Sequence, residues 1–258
     1  MNDGGNVKKI LVVDNNKVVV RLLATILRQK GFLVASAEDG LAALDLLDSF
    51  RPDIMLIDLI MPRINGEKLC RIIRKMPEYD SLFIIIISAI AAEEKIDFFE
   101  FGADACIAKG PAKRMEENLT SVLDFFQNER KDELTKKIFG EENIFERQIT
   151  KELLATKRHL EATLDNLDVG LLELNAAGQV ISVNAAALQL FQCQEEKFLA
   201  NQFPLFFQGE EENQIKKILA TLDSEIVELG ESAPVFLHGK FLLLKFVPFF
   251  DRGEKYII

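Results

Sequence analysis

Five polar residues close four apolar runs in the first half of this chain. Asp14 and Asn15 end "KKILVVDN", Asp58 ends "DIMLID", Ser88 ends "LFIIIIS" and Lys109 ends "DACIAK". Short continuous apolar runs read as strands buried on both faces. An ionised carboxylate inside such a strand would be costly. In an open parallel sheet, however, ligands bind outside the carboxyl ends of the strands, so these side chains would gather at one rim. Two carboxylates with a carbonyl oxygen suit a hard divalent cation such as Mg2+, which also takes phosphate oxygens. A hydroxyl and an ammonium can bind the other oxygens of a phosphoryl group. A carboxylate can itself be the nucleophile that forms an acyl phosphate, with the metal neutralising charge during transfer. Taken singly, each residue has a plainer role: the aspartate as a cap or turn residue, the serine as a capping hydroxyl, the lysine as a solvated charge.

The elements that would position them alternate in period. After the first strand, "VVVRLLATILRQKG" places Val20, Leu23, Ala24 and Leu27 at helical spacing and stops at Gly31. "FLVASA" is strand-like, and "GLAALDLLDSF" is an amphipathic helix ended by Arg51-Pro52. "GEKLCRIIRKM" and "EEKIDFFEFG" are predicted helices after the third and fourth strands, and another helix begins at Lys113. Five strands alternating with five helices imply a doubly wound parallel sheet, an α/β fold.

From Lys113 to about Leu167 the chain is densely charged with both signs. Ile149, Leu153, Thr156, Leu160, Thr163 and Leu167 alternate spacings of four and three, an a/d stripe. The spacing predicts a helix that continues from the fifth helix of the alternating pattern, kinked or split at Gly140. It fits either a solvated linker helix or a parallel two-chain coiled coil, which would make a homodimer. After Asp168, "GLLELNAAGQVISVN" holds two apolar runs joined by Asn175 to Gly178, a hairpin signal. The helical pieces "AAALQLF" and "EENQIKKILATLD" follow, then two strands about His238-Gly239. "GEKYII" starts a further strand in which the chain stops, so that strand is expected to be truncated and poorly paired, as in a fragment of a longer protein.

The 258 residues allow about two domains, and 48% hydrophobic content allows a packed core. The longest nearly apolar run, Leu82 to Ala92, is far short of the ~20 residues a membrane span needs. The apolar run before Asp14 is too short for a secretory signal. A cytoplasmic protein is expected. A net charge of -10 argues against non-specific nucleic-acid binding. The three cysteines, Cys70, Cys106 and Cys193, form no metal or disulfide pattern and are expected as buried free thiols.

"ILVVDNN", "IMLIDLIMPRINGEKL", "IIIISA" and "GADACIAKG", in that order, resemble the response-regulator receiver domain of the chemotaxis-protein type, over residues 6–126. The resemblance implies a flavodoxin-like five-stranded sheet and a role in two-component signal transduction, with Mg2+ as cofactor. It implies Asp58 as phosphoacceptor, Asp14 in the acidic metal pocket and the backbone carbonyl of Ile60 as a metal ligand. Ser88 would be the switch hydroxyl and Lys109 the partner of the phosphoryl group. The implied partner is a histidine kinase or phosphotransfer protein. The chain departs from the pattern at three places. Asn15 stands where a second acid is usual, leaving a weak metal ligand; Gly110 separates Lys109 from Pro111; and Cys106 occupies the aromatic switch position.

Residues 161–258, beyond a helical or coiled-coil linker at 127–160, resemble a PAS sensory domain, an α+β fold with an antiparallel sheet. "LDNLDVGLLELNAAGQVISVNAAALQLF" carries that resemblance, with Asn184 opening a short helix. His159 and His238 are expected at the surface, Cys193 lacks a flavin-site motif, and the phenylalanines between Phe236 and Phe250 are expected in the core. No cofactor is expected there, and the interior is expected to be filled. The chain is not expected to be an enzyme as it stands. An alternative is the sensory part of a hybrid histidine kinase or other signalling enzyme, although "TKRHLEATL" lacks the surroundings of a phospho-accepting histidine. A phosphate-independent interaction platform is a further alternative.

Overall fold

The computed structural model describes residues 7–89, 97–128, 138–140, 148–230 and 234–258, with the side chains of 148–154 excepted. The chain divides into two compact units, 1–153 and 154–258.

The first unit is built on strands β1 (Lys9–Val13), β2 (Leu33–Ala37), β3 (Ile54–Ile57), β4 (Phe83–Ser88) and β5 (Ala105–Ala108). They pair in parallel in the order β2-β1-β3-β4-β5, and a sixth strand, β6 (Ile138–Phe139), extends β5. β3, β4 and β5 are buried along their whole length, as expected of strands covered on both faces. Helices α1 (Lys17–Gln29), α2 (Gly40–Phe50) and α3 (Gly66–Ile73) connect the early strands, and α4 (Ala112–Gln127) follows β5. α1 buries Leu23, Ala24, Ile26 and Leu27, and α4 buries Met115, Leu119, Val122 and Leu123. These pack on Ile10, Val12, Ile54, Leu56, Ile85 and Ile107 as one apolar cluster.

Two expectations change here. Residues 97–102 form turns rather than the end of a helix, the rest of that predicted helix lying outside the described residues. The helix after β5 does not run on into the linker: it ends at Gln127, and Ile138–Phe139 is strand. Ile138 and Phe139 are β-branched and aromatic, and the open edge of β5 offers their backbone groups hydrogen-bond partners, which outweighs local helical spacing.

The second unit opens with α5 (Gln148–Asp165), which reaches across the unit boundary. Its apolar positions Leu160 and Leu164 are 59% and 45% exposed. The antiparallel sheet has the order β13-β14-β7-β8, from β7 (Leu172–Asn175), β8 (Val180–Val183), β13 (Pro248–Asp251) and β14 (Glu254–Ile257). β14 is paired on both sides, with β13 and with β7, in place of the poorly paired strand expected. Pairs β9 (Val227–Leu229) with β12 (Leu244–Phe246), and β10 (Val235–Leu237) with β11 (Lys240–Leu242), complete the strands. Between them lie α6 (Ala185–Phe191), α7 (Glu195–Phe198) and α8 (Gly209–Thr221). An aromatic core of Phe191, Phe198, Phe203, Phe206 and Phe207 holds these helices, with Phe198 and Phe206 stacked. Against expectation, Phe236, Phe241 and Phe250 are exposed while Phe246 is buried. In β10 alternation turns Phe236 outward between the buried Val235 and Leu237, whereas Phe241 and Phe250 lie beside exposed neighbours in β11 and β13.

Candidate functional site

Parallel pairing places the ends of β1, β3, β4 and β5 side by side, so the residues after β1, β3 and β5 and the last residue of β4 emerge at the same rim. Asp14 N donates to Ala37 O at 3.1 Å, and Asp58 N donates to Val13 O at 2.9 Å, so both backbones are fixed by the neighbouring strand. Lys109 N donates to Ser88 O at 2.9 Å. Asp14, Asp58 and Ser88 are buried polar groups, 3%, 7% and 0% exposed.

Lys109 joins them. Its Nζ lies 2.7 Å from Asp14 Oδ2 and 2.9 Å from Asp58 Oδ2. The insertion of Gly110 therefore does not prevent Lys109 from reaching the acids; Pro111 follows in trans and begins α4. The other oxygen of Asp14 accepts from Asn16 N at 2.8 Å. Asn16 in turn caps α1, its Oδ1 accepting from Val18 N at 3.0 Å. Burial pushes the Asp58 carboxyl above the usual range, with Asp14 adding to the rise. The Lys109 ammonium, and then the backbone N–H of Ile60, act the other way.

Of the residues singled out in the sequence, the structure brings together Asp14, Asp58 and Lys109 by direct contact. Ile60 touches Asp58 through its backbone. Ser88 is placed at the end of β4, paired with Ala108. Asn15 is exposed beside Asp14. Cys106 is buried within β5.

Two supports of the rim escaped the sequence reading. Asp39, fully buried, caps α2 by accepting from Ala42 N at 2.9 Å and pairs with Arg63, which also reaches Glu38 Oε1 at 3.1 Å. Arg63 sits in the left-handed region, φ 59°. Gly66 follows the cap Asn65, and a Cβ there would lie 2.2 Å from Asp58 O, so only glycine fits. The sequence signal for both was a capping residue before glycine, "DG" at 39–40 and "NG" at 65–66.

The donor set fits a divalent cation. Two carboxylates are turned toward one point, where an ammonium already offsets their charge, and the Asp58 carboxyl is electrostatically strained by burial. Asp14, Asp58, the Ile60 carbonyl and Asn15 are the oxygens that could hold it.

A family model of the response regulator receiver domain matches residues 10–121, and one of the PAS domain matches residues 158–225. The chain carries a receiver domain followed by a PAS domain. The receiver is similar to the "Probable transcriptional regulator ycf27" of Porphyridium aerugineum, 35% identical over 117 residues, 45% of this chain and 48% of that one. It is also similar to "Response regulator MprA" of Mycobacterium bovis, 36% identical over 102 residues, 39% of this chain and 44% of that one. The chain spans about half the length of the curated relatives it matches. Among solved structures, a putative response regulator from Chloroflexus aurantiacus is 28% identical, covering 46% of this chain and 99% of that one, with a TM-score of 0.42. TrrA of Thermotoga maritima, in complex with Mg2+-BeF, is 27% identical, covering 47% of this chain and 97% of that one, with a TM-score of 0.40. Receiver and PAS domains are regulatory units. No helix among the described residues is long and apolar enough to cross a membrane.

In the PAS domain, Asn184 is the polar centre. It is 4% exposed, caps α6 through Ala187 N at 3.0 Å, and also accepts from Leu171 N at 2.8 Å. Its amide donates to Leu164 O and Val169 O, each at 2.9 Å, tying the end of α5 to the hairpin. The interior is not wholly filled: an apolar cavity of about 220 Å³ is lined by Val169, Leu171, Leu174, Phe203, Phe246 and Ile257, among others. His159 and His238 are exposed, the latter with Nε2 3.1 Å from Phe191 O. Cys193 is half-buried rather than buried, because α6 ends before it.

Proposed function

We propose that this chain is a phosphorylation-controlled signalling protein in which Asp58 accepts a phosphoryl group from a histidine kinase or phosphotransfer protein. The observation that carries this is the placement of the Lys109 ammonium on both Asp14 and Asp58, at the carboxyl rim of the sheet. An Asp58 oxygen attacks phosphorus, the donor's bond to phosphorus breaks, and the product is an acyl phosphate. Lys109 then exchanges a carboxylate oxygen for a phosphoryl oxygen, and the Ser88 hydroxyl donates to another. A divalent cation bound by Asp14, Asp58 and the Ile60 carbonyl supplies charge neutralisation at the transferring group. The raised carboxyl of Asp58 supports the reading too, since perturbed groups cluster where chemistry is done.

The second unit is the receiving partner within the chain, and the apolar stripe of α5 supports a homodimer through that helix. Leu160, a stripe residue, is exposed on a helix rich in charge, and a second copy would cover it. A phosphate-independent platform is the second reading, favoured by Asn15, which leaves the pocket one negative charge short. Incubation with acetyl phosphate and Mg2+, followed by intact mass, separates the two. A labile phosphoryl adduct that is absent in Asp58→Asn is the expected result; no adduct on the wild-type chain would refute phosphotransfer.

A further inference from the structure

The loop from β3 to α3 carries Ile60, and its backbone is tied down near both ends. Leu59 O accepts from Gly66 N at 3.2 Å, and Ile64 O accepts from Gly40 N, the first residue of α2, at 3.1 Å. The loop lies close against that helix: a Cβ at Gly40 would stand 2.6 Å from Ile64 O. Between these ties, the N–H of Ile60 touches the Asp58 carboxyl. The path of the loop therefore decides where the Ile60 carbonyl points.

Within the loop Arg63 is left-handed, with φ 59°. There the Cβ of an L residue crowds its own backbone, whereas glycine takes the conformation freely. A residue other than glycine stays left-handed only where its surroundings hold it. Asp39 does the holding. The Arg63 side chain, 19% exposed, pairs with the carboxylate of Asp39, which is fully buried. That carboxylate is itself fixed to α2, accepting from Ala42 N at 2.9 Å. Glu38 is the lesser partner: its carboxylate lies 3.1 Å from Arg63 but is 64% exposed, and an exposed pair contributes little.

We infer that Arg63 is a positioning residue for the acidic site: its ion pair with Asp39 keeps residue 63 left-handed, and the loop so held aims the Ile60 carbonyl at a cation on Asp14 and Asp58. The inference rests on the proposed reading of that pocket as a cation site. Without the pair, residue 63 leaves the left-handed region and the carbonyl turns away. Glycine at 63 needs no such hold, so charge and backbone can be separated. Arg63→Met loses the pair and keeps the strain; Arg63→Gly loses both.

Calorimetric titration of the full chain with Mg2+ tests this. Arg63→Met should weaken binding roughly tenfold, the factor for one left-handed residue left unsupported. Asp39→Asn, whose side-chain oxygen can still cap α2, should weaken it by about as much. Arg63→Gly should stay within about twofold of wild type, and adding Asp39→Asn to it should change nothing further. Charge alone would act otherwise: losing a cation beside the pocket would tighten Mg2+ binding alike in the methionine and glycine variants. A purely structural role would lower the urea midpoint and leave the Mg2+ affinity of the folded chain as it was. Equal affinities in Arg63→Met and Arg63→Gly therefore overturn the inference, as does weakening by Asp39→Asn that persists beside Arg63→Gly. Should Asp39→Asn not fold, the two Arg63 variants decide. A wild-type chain that binds no Mg2+ overturns the inference together with the cation site. The acetyl phosphate adduct reports on Asp58 separately, so a chain that forms it while all variants bind Mg2+ alike loses only the role of Arg63.

Discussion

Replacing Lys109 by methionine would keep the length of the side chain and remove the charge that faces both carboxylates. Its Nζ is 2.7 and 2.9 Å from Asp14 and Asp58. At an effective dielectric of about 20, each contact represents about 6 kcal/mol of Coulomb attraction. Desolvation offsets much of that, and removing one partner from a buried ion pair typically costs about 3–5 kcal/mol. The cost should depend on pH with a definite sign. Burial already raises the Asp58 carboxyl, and Lys109 is the largest influence lowering it again. Without Lys109 the carboxyl rises further. A group whose folded-state value lies above its unfolded one contributes stability below the unfolded value and loses it as pH rises through the folded value. The deficit of Lys109→Met relative to wild type should therefore be widest near neutral pH and shrink as pH falls, toward about pH 3.5, below the unfolded value of 3.8, where Asp58 is protonated in both states. Urea unfolding followed by far-ultraviolet circular dichroism at the two pH values measures it. The chain has two compact units, so it is the transition of the receiver that is to be compared. A deficit under about 1 kcal/mol at neutral pH, or one equal at both pH values, would refute the electrostatic account of the rim.

Asn15→Asp should restore a second negative charge at the mouth of the pocket and tighten Mg2+ binding roughly tenfold, measured by calorimetric titration; unchanged affinity would mean residue 15 is not near the ion. Asn184→Ala leaves the backbone groups of Leu164, Val169, Leu171 and Ala187 without their partner. It should destabilise the PAS transition by about 2–4 kcal/mol while leaving the receiver transition in place, which the same urea experiment reads.

The acidic site was legible because its residues are where chain pattern and chemistry coincide. Asp14, Asp58, Ser88 and Lys109 each stop an apolar run, and in a parallel sheet such stops share a rim. The caps before α2 and α3 were missed, although a polar residue followed by glycine marks each, and their partners left no such mark. Arg63 meets Asp39 across 24 residues, through a left-handed backbone position that no pattern announces. The exposed Phe236 was misplaced because strand phase, and not hydrophobicity, decides which face a residue takes, and Phe241 and Phe250 because β11 and β13 bury little of either face. The linker was read as helix, kinked or split at Gly140, and its strand was missed because a strand of two residues is too short to have a period.

By itself the sequence determined the alternation of strand and helix, hence a parallel sheet with its polar stops at one end, and the hairpin and cap that begin the PAS domain. These are local properties, set by side-chain period, turn residues and the cost of burying charge. Only the tertiary structure decided that Lys109 stands between Asp14 and Asp58, that a later segment closes the edge of β5, and which phenylalanines face water. Those outcomes depend on strand order and packing between residues far apart in the chain, which short-range patterns do not encode.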